Sequence, residues 1–370
     1  MRLIFIKALG LLASLAAAAP AVPATPDVPL GQPASEDART EQLPRLVLYY
    51  QTTHDSFGRP ISMLPLITEK NIALTHLIVC SFHINWNNTL TLNDYPPHYP
   101  LFNTLWNETV VMKQAGVKVM GMVGGAAAGS FHTSTLDGSI ADFEYYYGQL
   151  RDAIVTYGLE GMDLDVEQPM SQTGITRLVR RLRADFGPDF IITLAPVAPA
   201  LHKGGNLSGF DYMTLEDTVG NEIAFYNAQF YNGWGDLAST YTFDRIVNTG
   251  WNPQKILAGQ VTTPANGGGF VAHNRLNATI SELRSKYGQI GGIMGWEYFN
   301  SRPGDTSQPW LWAQVMTAIL RPNLVPQLRI TKSMADRLTK AWRDSVGVGE
   351  SEISTIVAPP NVDYMSMINA

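Results

Sequence analysis

Three carboxylates fall at every second position of the stretch GLEGMDLDVEQPM: Asp163, Asp165 and Glu167. Successive side chains of a strand point to opposite faces, so this set lies along one face while Met162, Leu164 and Val166 line the other. Like charges stacked this way repel one another, and taking them out of water is costly unless partners compensate. At least one proton is therefore expected to stay on the cluster and raise its apparent pKa. A carboxyl that keeps its proton near neutral pH is what general-acid catalysis requires. Three acids can also hold magnesium or calcium, as in phosphodiesterases, or stand solvated on an edge strand. No His/Asp cluster is placed to supply further metal ligands, and neither HExxH nor a paired-cysteine spacing occurs. No metal and no organic cofactor are expected.

The elements that must position these acids are legible as short β-like runs. They are LVLYYQ (46–51), THLIVCSF (75–82), VKVMGMV (117–123), GMDLDVE (161–167), FIITLAP (190–196), IAFYNAQFY (223–231), KILAGQV (255–261) and GGIMGWE (291–297). Segments with helical apolar spacing lie between most of them, among them residues 102–116, 143–158, 173–187 and 275–288. Strands alternating with helices imply βα units and a parallel sheet. Eight such units over roughly 250 residues fit a (β/α)8 TIM barrel; a doubly wound open sheet is the alternative. The glycine run GMVGGAAAG (121–129) follows a strand but lacks the GxGxxG spacing of a dinucleotide site, so it reads as a tight turn or close backbone approach. In a barrel, DLDVE puts Asp163 deepest, Asp165 above it and Glu167 at the mouth, where Gln168 and Pro169 stop the strand.

Outside this repeat the chain divides further. Residues 1–19 carry a basic residue, a short apolar run and small residues before Ala19, the pattern of a secretory signal peptide. Residues 20–43 form a Pro/Ala-rich linker, 44–322 the barrel, and 323–370 a C-terminal extension with one amphipathic helix near 333–347 and a tail. The extension is expected to pack on the barrel. The net charge of −6 without basic clusters argues against nucleic acid or an anionic membrane as partner. The expectation is a secreted monomer that leaves the membrane when the signal is cut. Four Asn-x-Ser/Thr sequons, at Asn87, Asn107, Asn206 and Asn277, are glycosylation candidates. Cys80, the single cysteine, allows no internal disulfide and reads as a small buried hydrophobe.

The motifs now resemble a known family. EGMDLDVE resembles the DGxDxDxE signature of glycoside hydrolase family 18, the chitinase and endo-β-N-acetylglucosaminidase family. AQFYNGWG (228–235) resembles the strand-six QFYN segment of the class III plant and fungal chitinase branch. GGIMGWE resembles the strand-eight segment, LAPVAPAL the strand-five segment and GQVTTPANGGGFV the strand-seven stretch, in the order the family requires. Two positions depart from the pattern: Glu160 replaces the first Asp, and Met122 stands where strand three usually carries a serine that supports the acids.

The resemblance implies a retaining, substrate-assisted glycosidase, an exception to the ordinary pair of enzyme carboxylates. On that reading Glu167 protonates the departing oxygen, and the substrate's 2-acetamido carbonyl attacks the anomeric carbon. Asp165 orients the acetamide, Asp163 holds Asp165 or shares its proton, and Tyr231 hydrogen-bonds the acetamide oxygen. Trp296 forms an apolar floor under the −1 sugar. Gln229 lines the same face as Tyr231, Tyr49 belongs to the sugar wall, and Asn232, Trp234 and Trp86 border neighbouring sites. The implied substrate is chitin or chito-oligosaccharide, with the chitobiose core of N-glycans as an alternative substrate and a non-catalytic chitin-binding lectin as an alternative function.

Overall fold

Eight strands alternate their side chains between two apolar environments, and that alternation closes the sheet. The computed structural model describes residues 43–327 and 329–346; the expected signal peptide, nearly all of the linker and the tail beyond 346 lie outside the described residues. The barrel strands are β1 (Arg45–Tyr50), β2 (His76–Asn85), β4 (Lys118–Gly124), β5 (Gly161–Asp165), β6 (Ile191–Leu194), β7 (Phe225–Gln229), β8 (Ile256–Val261) and β9 (Gly292–Trp296). They run parallel in the order β1-β9-β8-β7-β6-β5-β4-β2, and β1 pairs with β2 to shut the ring. The fold is a (β/α)8 TIM barrel. Each expected strand is present, although β5 stops at Asp165, so Glu167 sits in the loop beyond rather than at the strand's last position.

Within each strand one set of residues faces the barrel interior and the next faces the helices. Val47, Tyr49, Ile78, Cys80, Met120, Met122, Phe225, Leu257 and Met294 fill the interior. Leu46, Leu48, Val79, Met162, Leu164, Ile192 and Ile293 belong to the larger outer core. Cys80 is buried and free, as its apolar run suggested. The helices covering that core are α1 (Pro65–Thr68), α2 (Asn103–Gln114), α3 (Ile140–Tyr157), α4 (Gln172–Phe186), α5 (Tyr212–Val219), α6 (Tyr241–Asn248), α7 (His273–Tyr287) and α8 (Leu311–Leu320).

Helix α4 shows why the sequence folds this way. The Ser171 hydroxyl accepts from the Gly174 amide at 2.9 Å and caps its start. Ile175, Leu178, Val179 and Leu182 then form one buried stripe facing the sheet. Helix α3 opens the same way on Ser139 and closes at Gly158, whose φ of 56° a side chain would make costly.

One feature goes beyond the expected plan. Strand β2 outruns its barrel neighbours and turns back as β3 (Thr89–Leu92), an antiparallel hairpin standing above the rim. The C-terminal extension packs beneath the barrel: the Arg329 side chain donates to the Ala115 and Leu74 carbonyls, and helix α9 (Lys332–Val346) lies against α2. Among the sequons, Asn107 is 2% exposed on α2 with its amide directed at the Thr339 carbonyl, so a glycan cannot occupy it in the folded chain. Asn87 is exposed at the hairpin tip. No helix among the described residues is long and apolar enough to cross a membrane.

Candidate active site

The acids rise through the barrel mouth as a ladder whose burial decreases upward. Asp163 is 0% exposed, Asp165 6%, and Glu167 half-buried just past the end of β5. Asp163 is the best supported. One of its oxygens accepts from the Tyr49 hydroxyl at 2.6 Å. The other accepts from the Thr193 hydroxyl at 2.5 Å and the Asn227 amide at 3.1 Å. These three donors come from β1, β6 and β7, so the barrel itself converges on this carboxylate.

Asp165 has far less help. The Gln229 amide donates to it at 3.2 Å and divides its hydrogens with Glu167 Oε1 at 3.1 Å and the Ala195 carbonyl at 3.0 Å. Burial, then the charge of Glu167, then that of Asp163, push the Asp165 carboxyl well above the usual carboxylate range. Asp163 is also raised by burial, but its three hydrogen bonds pull the other way. The retained proton expected from the sequence therefore belongs on Asp165, in the middle of the ladder.

Tyr231 lies two residues beyond β7, 5% exposed, and joins the interior cluster while Phe230 between them packs into the outer core. Burial and then the charges of Asp165, Glu167 and Asp163 raise its phenol well above the ordinary value, so it stays a neutral donor facing the acids. Trp296 ends β9 half-buried, packed on the interior cluster beside Tyr49, whose ring centroid is 5.4 Å away. Phe270, from the loop after β8, packs on the same cluster. Acid, phenol and aromatic platform thus converge on one mouth. They offer carboxyls that can carry a proton, a buried phenol that donates a hydrogen bond beside them, and an apolar surface.

Two positions differ from expectation. Tyr49 does not stand on a sugar wall: it is 1% exposed and its hydroxyl is committed to Asp163. Inward alternation along β1 turns it into the barrel interior, where its ring packs beside Trp296. Asn232 does not present its side-chain oxygen to the cleft, because that atom accepts from the Gly268 amide at 2.9 Å. Trp234 packs over Gly205, where a Cβ would come within 2.4 Å of the indole, and Trp86 is 81% exposed at the β2–β3 turn.

The glycines at the end of β4 let the backbone approach the acid strand closely. A Cβ on Gly124 would stand 2.3 Å from the Asp165 carbonyl, and the Gly125 amide donates to that carbonyl at 2.9 Å. Glu160 lies at the opposite end of β5, bonded to Lys118 and the Val119 amide, away from the mouth. Met122 is buried at the position paired with Asp163 and brings no hydrogen bond to it.

Reasoning from sequence missed Thr193, Asn227, Phe270 and Glu297. The first two could have been found, since Asn227 shares the inward face of Gln229 and Thr193 is the polar residue of an apolar strand. Glu297 is 6% exposed, and its carboxylate accepts from the Gln51 and Thr52 amides and the Thr52 hydroxyl. Among the described residues no group of three or more His, Cys, Asp or Glu side chains is arranged to hold a metal ion.

Comparison with known proteins agrees with this geometry. Residues 45–300 match the family described as Glycosyl hydrolases family 18. Chitinase 2 of Rhizopus oligosporus is 30% identical over 213 residues, which are 53% of this chain and 35% of that protein. Chitinase 1 of Rhizopus niveus is 29% identical over 220 residues, 56% of this chain and 41% of that one. The chain thus spans well under half the length of these curated relatives. A solved fungal endo-beta-N-acetylglucosaminidase is 68% identical, covering 76% of this chain and 100% of its own, with a TM-score of 0.75. The chitinase ChiC of Aspergillus fumigatus is 48% identical, covering 74% and 98%, with a TM-score of 0.68.

Proposed function

The chain belongs to glycosyl hydrolases family 18, and from that premise we propose that it is a retaining endo-β-N-acetylglucosaminidase. It cuts the β-1,4 bond between two N-acetylglucosamine units with help from the substrate's own acetamido group. Glu167, half-buried at the mouth, takes up a second proton from solvent and gives it to the departing glycosidic oxygen. As that bond breaks, the acetamido carbonyl oxygen bonds to the anomeric carbon from the other face, closing an oxazolinium ring. Asp165 turns to accept the acetamide N–H and stabilises the positive charge, leaving its proton with Asp163. Asn227 can follow that proton, because its side-chain oxygen is buried without a partner and its amide can rotate to accept. The Tyr231 phenol donates to the acetamide oxygen and holds it in line for attack. Water then opens the ring while Glu167 takes a proton from it, and two inversions give retention.

The observation that carries this reading is the ladder itself: Asp165 enclosed between Asp163 and Glu167, with Gln229 bridging the upper two and burial holding its carboxyl well above the usual range. An ordinary retaining enzyme needs a carboxylate nucleophile opposite its acid. Here the second carboxyl is hydrogen-bonded into the wall beside the first, a place suited to holding an amide.

For the substrate, the solved relative at 68% identity is an endo-beta-N-acetylglucosaminidase, which favours the chitobiose core of N-glycans. The chitinases at lower identity favour chitin as the second reading. Secretion is part of the proposal, supported by the leader-like residues 1–19. The test incubates purified protein with a high-mannose glycopeptide, chito-oligomers and colloidal chitin, identifying products by mass. The Glu167→Gln variant should lose hydrolysis and keep sugar binding; undiminished turnover rejects the assignment.

A further inference from the structure

Strand β7 pairs with β8 only as far as Gln229 with Gly259, and the Phe230 amide still reaches the Gly259 carbonyl at 3.1 Å. Tyr231 comes after that ladder has ended, yet it is the phenol facing the acids. Its backbone is held instead by the loop that follows β8. The Asn232 amide donates to the Gly268 carbonyl at 2.9 Å, and the Gly268 amide returns a bond to Asn232 Oδ1 at 2.9 Å. Asn232 has a φ of 55°, the left-handed conformation that Asn tolerates better than most residues.

The glycines on the other side fit this contact and nothing larger. A Cβ at Gly267 would come within 2.2 Å of Asn232 Oδ1, and one at Gly269 within 3.0 Å of the Tyr231 Cα. Both have positive φ, 147° and 88°. Gly268 between them has nothing near its Cβ position, so the crowding is confined to the two glycines that touch Tyr231 and Asn232. We infer that Asn232 is a positioning residue which, with Gly267–Gly269, clamps the Tyr231 backbone and so fixes where the phenol meets the acetamide. Phe270 continues the same loop onto the interior cluster, tying the clamp to the floor around Trp296.

The inference rests on the reading of Tyr231 as the partner of the acetamide oxygen. If that phenol acts in the transition state, a displaced backbone lowers kcat and leaves KM nearly unchanged. Asn232→Gly keeps the left-handed backbone and its N–H while removing the side-chain oxygen. Gly267→Ala breaks the same clamp from the opposite loop. Each should lower kcat about ten-fold, with KM within about two-fold, on a chitobiose-core glycopeptide or chitotetraose. A thiazoline analogue of the cyclised intermediate should lose affinity by the same factor.

A double-variant cycle separates positioning from general loosening. In a Tyr231→Phe background, Asn232→Gly should cost nothing further, because the hydroxyl it positions is gone. Unchanged turnover in Tyr231→Phe alone would overturn the reading of Tyr231 and the clamp's purpose with it. A large loss in Tyr231→Phe, joined to normal turnover in Asn232→Gly and Gly267→Ala or to losses that multiply in the double variant, would overturn the clamp alone.

Discussion

The Tyr49 hydroxyl reaches across the barrel interior and donates to Asp163 at 2.6 Å, joining residues 114 positions apart in the chain. With Thr193 and Asn227 it makes Asp163 the carboxylate of the ladder best supplied with protein donors, although it is fully buried. The consequence falls on its neighbour. Asp165, equally enclosed but poorly supplied with donors, is where a proton is held most firmly.

Removing that hydroxyl tests the arrangement. Tyr49→Phe takes one donor from the Asp163 carboxylate and raises its pKa further, so Asp163 holds a proton of its own to higher pH and cannot then take the one Asp165 must leave. We expect kcat to fall roughly ten-fold, a loss of about 1.4 kcal/mol of transition-state stabilisation, with KM held. The acid limb of the kcat profile should move to higher pH. A kcat and acid limb like those of the parent enzyme contradict the role given to this bond.

Asp165→Asn should abolish turnover and stabilise the fold. The folded-state pKa of Asp165 is raised above its unfolded value of about 4. Its contribution is then complete below that pH and declines as pH rises, because the unfolded chain releases the proton first. Asparagine has no such dependence. The unfolding temperature of the variant should exceed the parent's by roughly 2–4 °C at pH 7.5, and the difference should shrink toward pH 4. Calorimetry at the two pH values checks both the gain and its sign.

The strands were legible because their apolar runs are short and separated by helical periodicity, and the acids because three carboxylates at alternate positions fit the DGxDxDxE signature. Tyr231 followed from the resemblance of QFYN to the family's strand-six segment, and Gln229 from sharing its face by alternation. Tyr49 was recognised as a residue of interest but placed too high, since nothing local says how far a barrel strand leans. Asn232 was assigned to the sugar side because its partner, Gly268, is 36 positions away and the bond between them is a tertiary fact. Glu297 stood in the quoted motif GGIMGWE without a role, as its three donors lie at the far end of the barrel sequence, in Gln51 and Thr52. The hairpin β2–β3 was missed because Trp86–Asn88 forms its turn without a strong glycine signal.

Glu108, on α2, offers a pH prediction away from the mouth. It is 5% exposed and accepts from the Ser62 hydroxyl and the Met63 amide, both at 2.7 Å. Burial pushes its carboxyl up to about 7 from 4.5, against the pull of those bonds. Stability linked to this group is therefore complete below about pH 4.5 and is lost as pH rises to about 7, a span worth about 3 kcal/mol. Glu108→Gln should flatten this part of the curve. Denaturant midpoints at pH 4.5 and 7.5 should differ less in the variant than in the parent; an equal difference would show that Glu108 does not titrate there.

Glu297 gives the last prediction, because it follows Trp296 directly and its carboxylate ties β9 to the end of β1. Oε2 accepts from the Gln51 amide at 3.1 Å and the Thr52 amide at 2.8 Å, while Oε1 accepts from the Thr52 hydroxyl at 2.9 Å. Gln can reproduce that pattern: its oxygen serves the two amides, and its NH2 donates to the threonine oxygen, which has lone pairs to spare. Ala cannot, and it leaves two part-buried amides without their acceptor, each costing up to about 1–3 kcal/mol. The carbonyl of Trp296 is separately fixed by the Thr262 amide at 2.8 Å, so the loss acts chiefly on the tilt of the indole and less on the strand. The expected result is a KM within about two-fold of the parent for Glu297→Gln and raised about ten-fold for Glu297→Ala, with kcat less affected in each. Quenching of tryptophan fluorescence by chitotetraose should weaken only in the alanine variant. If Gln and Ala behave alike, the carboxylate's charge and not its three acceptor contacts is what the platform depends on.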